Sequence, residues 1–153
     1  MVRGDGRGSA TLVECGVFRT SARDALADRL MEIFEGVTGL IARHQPDAMA
    51  VESVFYARNV RTTVTLGHAR GVLLLAGARA GVTIHEYPPA EIKKAITGTG
   101  GATKEQVQYM VKTLLRLKTV PSPNDAADGV AAALTCLLSA RTSAMLASAE
   151  RTR

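Results

Sequence analysis

The sequence predicts an α/β layered domain. Short apolar runs of strand character alternate with longer stretches whose apolar residues recur at helical spacing. One such run, residues 48–51, is apolar on both faces and ends in Glu52, as a buried parallel strand does. Near the other end of the chain, Asp125 and Asp128 open an Ala- and Leu-rich helix. No internal repeat, low-complexity segment or linker divides these elements. Residues 1–140 are therefore expected to form one domain and residues 141–153 a polar, frayed tail.

The elements follow in order. The glycines of Arg3-Gly4-Asp5-Gly6-Arg7-Gly8-Ser9 allow a hairpin turn, and residues 11–19 read as the strand after it. Only Met1 and Val2 precede that turn, so the body of the preceding strand is expected to be absent. Ser21 or Asp24 is the expected cap of a helix reaching His44, with Leu26, Leu30, Ile33, Phe34, Val37 and Ile41 at helical spacing. Gln45-Pro46-Asp47 breaks it. After the Glu52 strand, helix resumes near Thr62 and ends at Gly81. Residues 82–87 read as a strand, followed by a short helix around Ile92, Lys93 and Ile96. Thr103 caps the next helix, beyond the Thr97-Gly98-Thr99-Gly100-Gly101 loop, and the last helix runs from Asn124 to about Ala140.

Composition bounds the function. The chain has 153 residues, 46% of them hydrophobic, which suffices for a core. Its net charge of +5 favours a polyanionic partner, without separating nucleic acid from a membrane surface or plain solubility. Cys15 and Cys136 sit in apolar runs without metal-ligand spacing and read as buried free thiols of a reducing compartment. No apolar run is expected to reach the length of a membrane span, and the start is unlike a signal peptide, so a cytoplasmic location is expected.

Glu52 lies where a buried strand reaches its C-terminal end, the usual place for sites in open α/β sheets. Asp125 and Asp128 are three apart, which puts both carboxylates on one helix face. Three carboxylates gathered together repel unless a cation neutralises them, and hard oxygen ligands suit Mg²⁺. Paired metal ions about 4 Å apart can activate a water and stabilise a leaving oxygen in phosphodiester cleavage. Each residue also has a plainer reading: Asp125 as a helix cap, Asp128 as a first-turn charge on the helix dipole, Glu52 as a polar strand end.

The surroundings of these residues add a resemblance. Val51-Glu52-Ser53-Val54-Phe55-Tyr56-Ala57-Arg58-Asn59 resembles the Glu-containing motif of the RuvC family of Holliday junction resolvases. Leu66-Gly67-His68-Ala69-Arg70-Gly71, then Glu86-Tyr87, Ile92-Lys93, Gly98, Gly100, Lys104 and Gln106-Val107-Gln108-Tyr109-Met110-Val111 continue the likeness in order. Asn124-Asp125-Ala126-Ala127-Asp128-Gly129 resembles its closing acidic helix. Several ordered motifs at consistent spacing are far more specific than one.

The resemblance implies an RNase H-like three-layer fold, with a mixed central sheet flanked by helices. It implies a homodimer that nicks four-way DNA junctions at paired sites in recombination and repair. It also implies Mg²⁺ as cofactor, with Mn²⁺ as the alternative, and junction-migration partners of the RuvA and RuvB type. Glu52, Asp125 and Asp128 match three of the family's four acidic metal ligands. The fourth is an Asp on the first strand, the strand expected to be absent; Asp5 lies in the turn beyond it. Loss of a central strand would orphan backbone groups and core side chains. Poor folding and inactivity of the chain as written are the expectation, with a non-catalytic junction-binding domain as the alternative function.

The same resemblance supplies DNA contacts. Phe55 matches an aromatic that stacks on unpaired bases, with Tyr56 as the buried neighbour. Arg58 and Asn59 suit phosphate positioning, and Arg61 does so equally well as a solvated charge. Lys93 and Lys104 flank the glycine loop and match basic positions linked to DNA binding, Lys104 also to catalysis. Lys94 and Lys112 read as surface charge. His44, His68 and His85 do not cluster and carry no expected metal role.

Overall fold

The structure is a computed structural model that describes residues 1–6, 8–53 and 60–150. Its contacts divide the chain into two compact units. One comprises Met1–Gly16 with Ala90–Arg153, the other Val17–Pro89.

In the first unit, β1 (Val2–Gly4) and β2 (Ala10–Leu12) form an antiparallel hairpin with Val2 opposite Leu12 and Gly4 opposite Ala10. The expected turn is present. Asp5 closes it, accepting from Ser9 N at 2.9 Å through Oδ1 and donating its own N–H to Ser9 O at 3.1 Å. The expected strand over residues 11–19 stops at Leu12. Beyond it, Val13 N and Glu14 N donate to Met1 O at 3.0 and 3.4 Å. This also corrects the expected burial of Cys15, which is exposed; Cys136 is buried, and both thiols are free.

The hairpin packs on the last helix of the same unit, α5 (Asn124–Glu150), defined here with α3 (Pro89–Thr97) and α4 (Lys104–Leu114). A Cβ on Gly4 would fall 2.9 Å from Leu137 Cδ1, so the strand approaches the helix closely only because position 4 has no side chain. Arg141 Nη1 donates to Gly8 O at 2.8 Å, tying the turn to the helix as well. Helix α5 runs to Glu150, beyond the expected end near Ala140. Contrary to expectation, α5 is long and apolar enough by composition to cross a membrane. Alanine supplies much of that character, and Ala126, Ala127, Val130, Ala131, Leu134 and Cys136 are buried. Thr135 is fully buried among them and satisfies its hydroxyl by donating to Ala131 O at 2.9 Å.

Helix α4 packs on α5 and buries Val107 and Val111, with Leu115 buried at its C-cap, whereas Leu114 of the same apolar stretch is exposed. Its start is a complete capping box. Gln106 N donates to Thr103 Oγ1 at 3.3 Å, and Thr103 N donates to Gln106 Oε1 at 2.8 Å.

In the second unit, α1 (Leu26–His44) ends at Gln45, whose left-handed φ of 44° turns the chain before Pro46. Neither Ser21 nor Asp24 caps α1. Ser21 Oγ instead accepts from Arg23 N at 3.1 Å, and Asp24 N donates to Ser21 O, so both residues are spent on a turn ahead of the helix. Strands β3 (Ala48–Glu52) and β4 (Thr83–Tyr87) pair in parallel, with Glu52 opposite Tyr87. Helix α2 (Val60–Arg79) packs on α1 and on both strands. Its buried Gly77 makes the approach, since a Cβ there would sit 3.0 Å from Ile84 Cδ1 and 3.2 Å from Met49 Sδ. Among the described residues, the strands form these two two-stranded sheets.

Candidate active site

The acidic helix start is the most organised polar feature of the first unit. Asn124 begins α5, and Ala126 N donates to Pro123 O at 2.8 Å, so Asp125 lies inside the first turn and not at the cap. There a carboxylate is favoured by the helix dipole. Asp128 follows one turn on, on the same face.

Lys104 is the first residue of α4, held there by the capping box around Thr103. Its Nζ lies 2.9 Å from Asp128 Oδ2 and 3.5 Å from Asp125 Oδ1. The hydrogen bond to Asp128, followed by that residue's charge, holds the Lys104 ammonium above the ordinary lysine range. The cluster is open to solvent: the side chains of Lys104 and Asp128 are about half exposed, and Asp125 is 82% exposed. The arrangement is two carboxylates bridged by one cation, reachable by a polyanion or a metal ion.

Of the predicted residues, the structure therefore brings together Asp125, Asp128 and Lys104. Lys93 is half-buried on α3. Glu52 stands in the other unit, as the exposed last residue of β3. Strand alternation puts it on the sheet face opposite α2, because Met49 and Ile84 are the residues that meet Gly77. Ser53 N donates to Tyr87 O at 2.8 Å and extends the pairing past Glu52. Phe55, Arg58 and Asn59, with Tyr56, lie outside the described residues. Among the described residues, no three His, Cys, Asp or Glu side chains are grouped closely enough to hold a metal ion.

Sequence reasoning missed one ion pair and half of a cap. Arg70 on α2 forms an ion pair with Glu86 on β4, and its buried Nε has no hydrogen-bond partner among the described residues. Nothing in the spacing of positions 70 and 86 announces that pair. Thr103 was expected as the cap, but the returning Gln106 side chain was not, although it stands at the signature three residues on.

Comparison with known proteins returns one family. The family model described as "Crossover junction endodeoxyribonuclease RuvC" matches residues 1–136. A protein of that name from Heliobacterium modesticaldum is 49% identical over 121 residues, covering 79% of this chain and 75% of the relative. One from a Roseiflexus species is 46% identical over 127 residues, covering 83% and 76%. Among solved structures, Thermus thermophilus RuvC superimposes with a TM-score of 0.84 at 36% identity, covering 94% of this chain and 86% of that one. The same protein in complex with a Holliday junction substrate gives 0.80 at 34% identity, covering 88% and 82%.

Proposed function

The chain belongs to the RuvC family of crossover junction endodeoxyribonucleases and has its RNase H-like fold, and on that premise we propose that it resolves four-way DNA junctions by metal-dependent paired nicking. The observation that carries the reading is the Lys104–Asp125–Asp128 cluster, since motif residues more than 20 positions apart in the sequence meet in space. The likeness to a relative solved with a Holliday junction substrate supports junction DNA as the ligand.

The donor set fits a divalent cation. Asp125 and Asp128 present hard carboxylate oxygens, and a cationic ammonium already lies between them. Asp125 and Asp128 would hold Mg²⁺, or Mn²⁺ in its place; Glu52 is proposed as a metal ligand on its motif match alone. Bound there, such a cation supplies activation of a water and stabilisation of the leaving oxygen. Lys104 stays protonated through the neutral range. Its ammonium balances the two aspartates, and would be available to a DNA phosphate if a bound cation neutralised them. Phe55 is assigned to base stacking by its motif, and Arg58, Asn59 and Lys93 to DNA positioning.

Paired nicking calls for two copies of the site. Helix α2 offers a seam for a homodimer: Val60, Val64 and Leu75 are large, apolar and exposed along it. Junction-migration proteins of the RuvA and RuvB type are the proposed partners, and the cytoplasm the proposed location.

The test is cleavage of a labelled four-way junction in Mg²⁺, with linear duplex as control. Symmetric nicks that disappear in Asp125→Asn and Asp128→Asn, with junction binding retained, support the proposal. Junction binding without cleavage by the unaltered chain would sink it in favour of a non-catalytic binding role.

A further inference from the structure

Beside the Lys104 cluster, in the same unit, the loop after α3 and the first two turns of α4 border an open groove of about 410 Å³. That volume falls in the range of small-molecule sites. Thr97, Thr99, Glu105, Gln106, Tyr109 and Met110 line it.

Its walls differ in what they have left to offer. The threonines are committed locally: Thr97 Oγ1 donates to Lys93 O at 2.8 Å, and Thr99 Oγ1 accepts from Gly101 N at 3.4 Å. They give the groove shape. Gln106 is different. Its Oε1 is held by Thr103 N at 2.8 Å, which orients the amide and leaves Nε2 as a donor without a partner among the described residues. The Glu105 carboxylate accepts from its own backbone N–H and from the Thr103 hydroxyl, which favour its charged form, and its remaining lone pairs can still accept. Tyr109 is 66% exposed in a chain with only 4% aromatics, so its ring is not spent on the core.

An exposed ring, one oriented amide donor and one carboxylate acceptor together complement a flat heterocycle with an N–H beside a ring acceptor. A nucleobase has that edge and that face. A phosphate does not suit the groove. Glu105 repels it, and no Lys or Arg is among the residues that line the groove. Tyr109 lies on another face of α4 from Lys104, so the groove and the proposed DNA-contacting cluster share one helix but not one face.

We propose that this groove takes one unpaired base of the junction DNA, stacked on Tyr109 with its hydrogen-bonding edge toward Glu105 and Gln106. The proposal rests on the junction-binding reading above. It is tested with the full chain, without divalent metal, on four-way junctions carrying 2-aminopurine or an abasic site at single positions around the crossover. At one position at least, 2-aminopurine fluorescence changes on binding. Tyr109→Ala abolishes that change and weakens junction binding about 5-fold or more, while Tyr109→Phe keeps both. An abasic site at that position weakens the unaltered protein by the same factor, and Tyr109→Ala then adds nothing.

Unchanged binding by Tyr109→Ala overturns the proposal. So does weakening by Tyr109→Ala where no abasic site matters, which would mark a sugar or phosphate contact. If the unaltered chain fails to prefer the four-way junction to linear duplex, the functional reading falls too, and the same titration reports it.

Discussion

Thr103→Ala tests how firmly the start of α4 holds Lys104. Thr103 Oγ1 accepts from Gln106 N at 3.3 Å, and Gln106 Oε1 returns to Thr103 N at 2.8 Å. Alanine removes the first bond and the anchor that draws Gln106 back for the second. Loss of a threonine N-cap costs about 1 kcal/mol, within a range of roughly 0.5–2. In a chain of 153 residues, each kcal/mol moves Tm by about 2–4 °C. Thr103→Ala should therefore lower Tm by about 2–4 °C in a thermal melt followed by circular dichroism. Thr103→Ser keeps an acceptor oxygen at the same place and should recover most of the loss. A Tm within about 1 °C of the unaltered protein for Thr103→Ala would refute the reasoning, because the exposed N–H of Gln106 would then be served equally well by water.

Two of the three glycines of α2, Gly71 and Gly77, should respond in different ways. At Gly71 a Cβ meets nothing within 4 Å, so Gly71→Ala should gain about 0.5–1 kcal/mol of helix stability. At Gly77 it meets Ile84 and Met49, so Gly77→Ala should fall short of that gain by about 1 kcal/mol or more in urea denaturation. Val111 is fully buried, and Val111→Ala should cost about 2–3 kcal/mol, the transfer of two methyl groups plus a residual cavity. Lys104 has a raised pKa in the folded chain, so its pairing stabilises fully below the free lysine value of about 10.4. That stabilisation disappears as pH climbs through the raised value. Asp128→Asn should bring the Lys104 pKa down in a side-chain NMR titration, and an unmoved pKa would remove Asp128 as its cause. Glu105 has the opposite sign: its lowered pKa contributes above the free glutamate value and is lost as pH falls through the folded one. An NMR titration of its carboxylate carbon should give a pKa below that of a free glutamate.

Much of the architecture was legible because it depends on local chemistry. The apolar period of α4, the Thr103 cap and the Gly98 turn are each written in a few neighbouring residues. So are the strands ending at Glu52 and at Tyr87, whose runs are short and apolar enough to be strands. The ordered motifs also carried the family. Errors arose where a segment's fate depends on what lies beside it. Residues 13–19 have strand character, yet strand pairing is a non-local property, and the ladder with β1 covers only Ala10–Leu12. Cys15, past that ladder, is exposed. Ser21 and Asp24 are good caps by type, yet a turn ahead of α1 uses them first.

The sequence by itself determined the element order, the acidic helix start and the spacing that puts Asp125 and Asp128 on one face, since these follow from backbone periodicity. It also determined that Lys104 opens a helix. Only the tertiary structure decided that α4 packs on α5 so that the Lys104 ammonium comes to lie between those two carboxylates. Likewise, only folding could pair Arg70 with Glu86, or leave Tyr109 exposed beside a groove while Val107 and Val111 of the same helix are buried. Spacing along a chain sets which residues share a face. Which faces meet is set by packing between elements distant in sequence, and no local pattern records it.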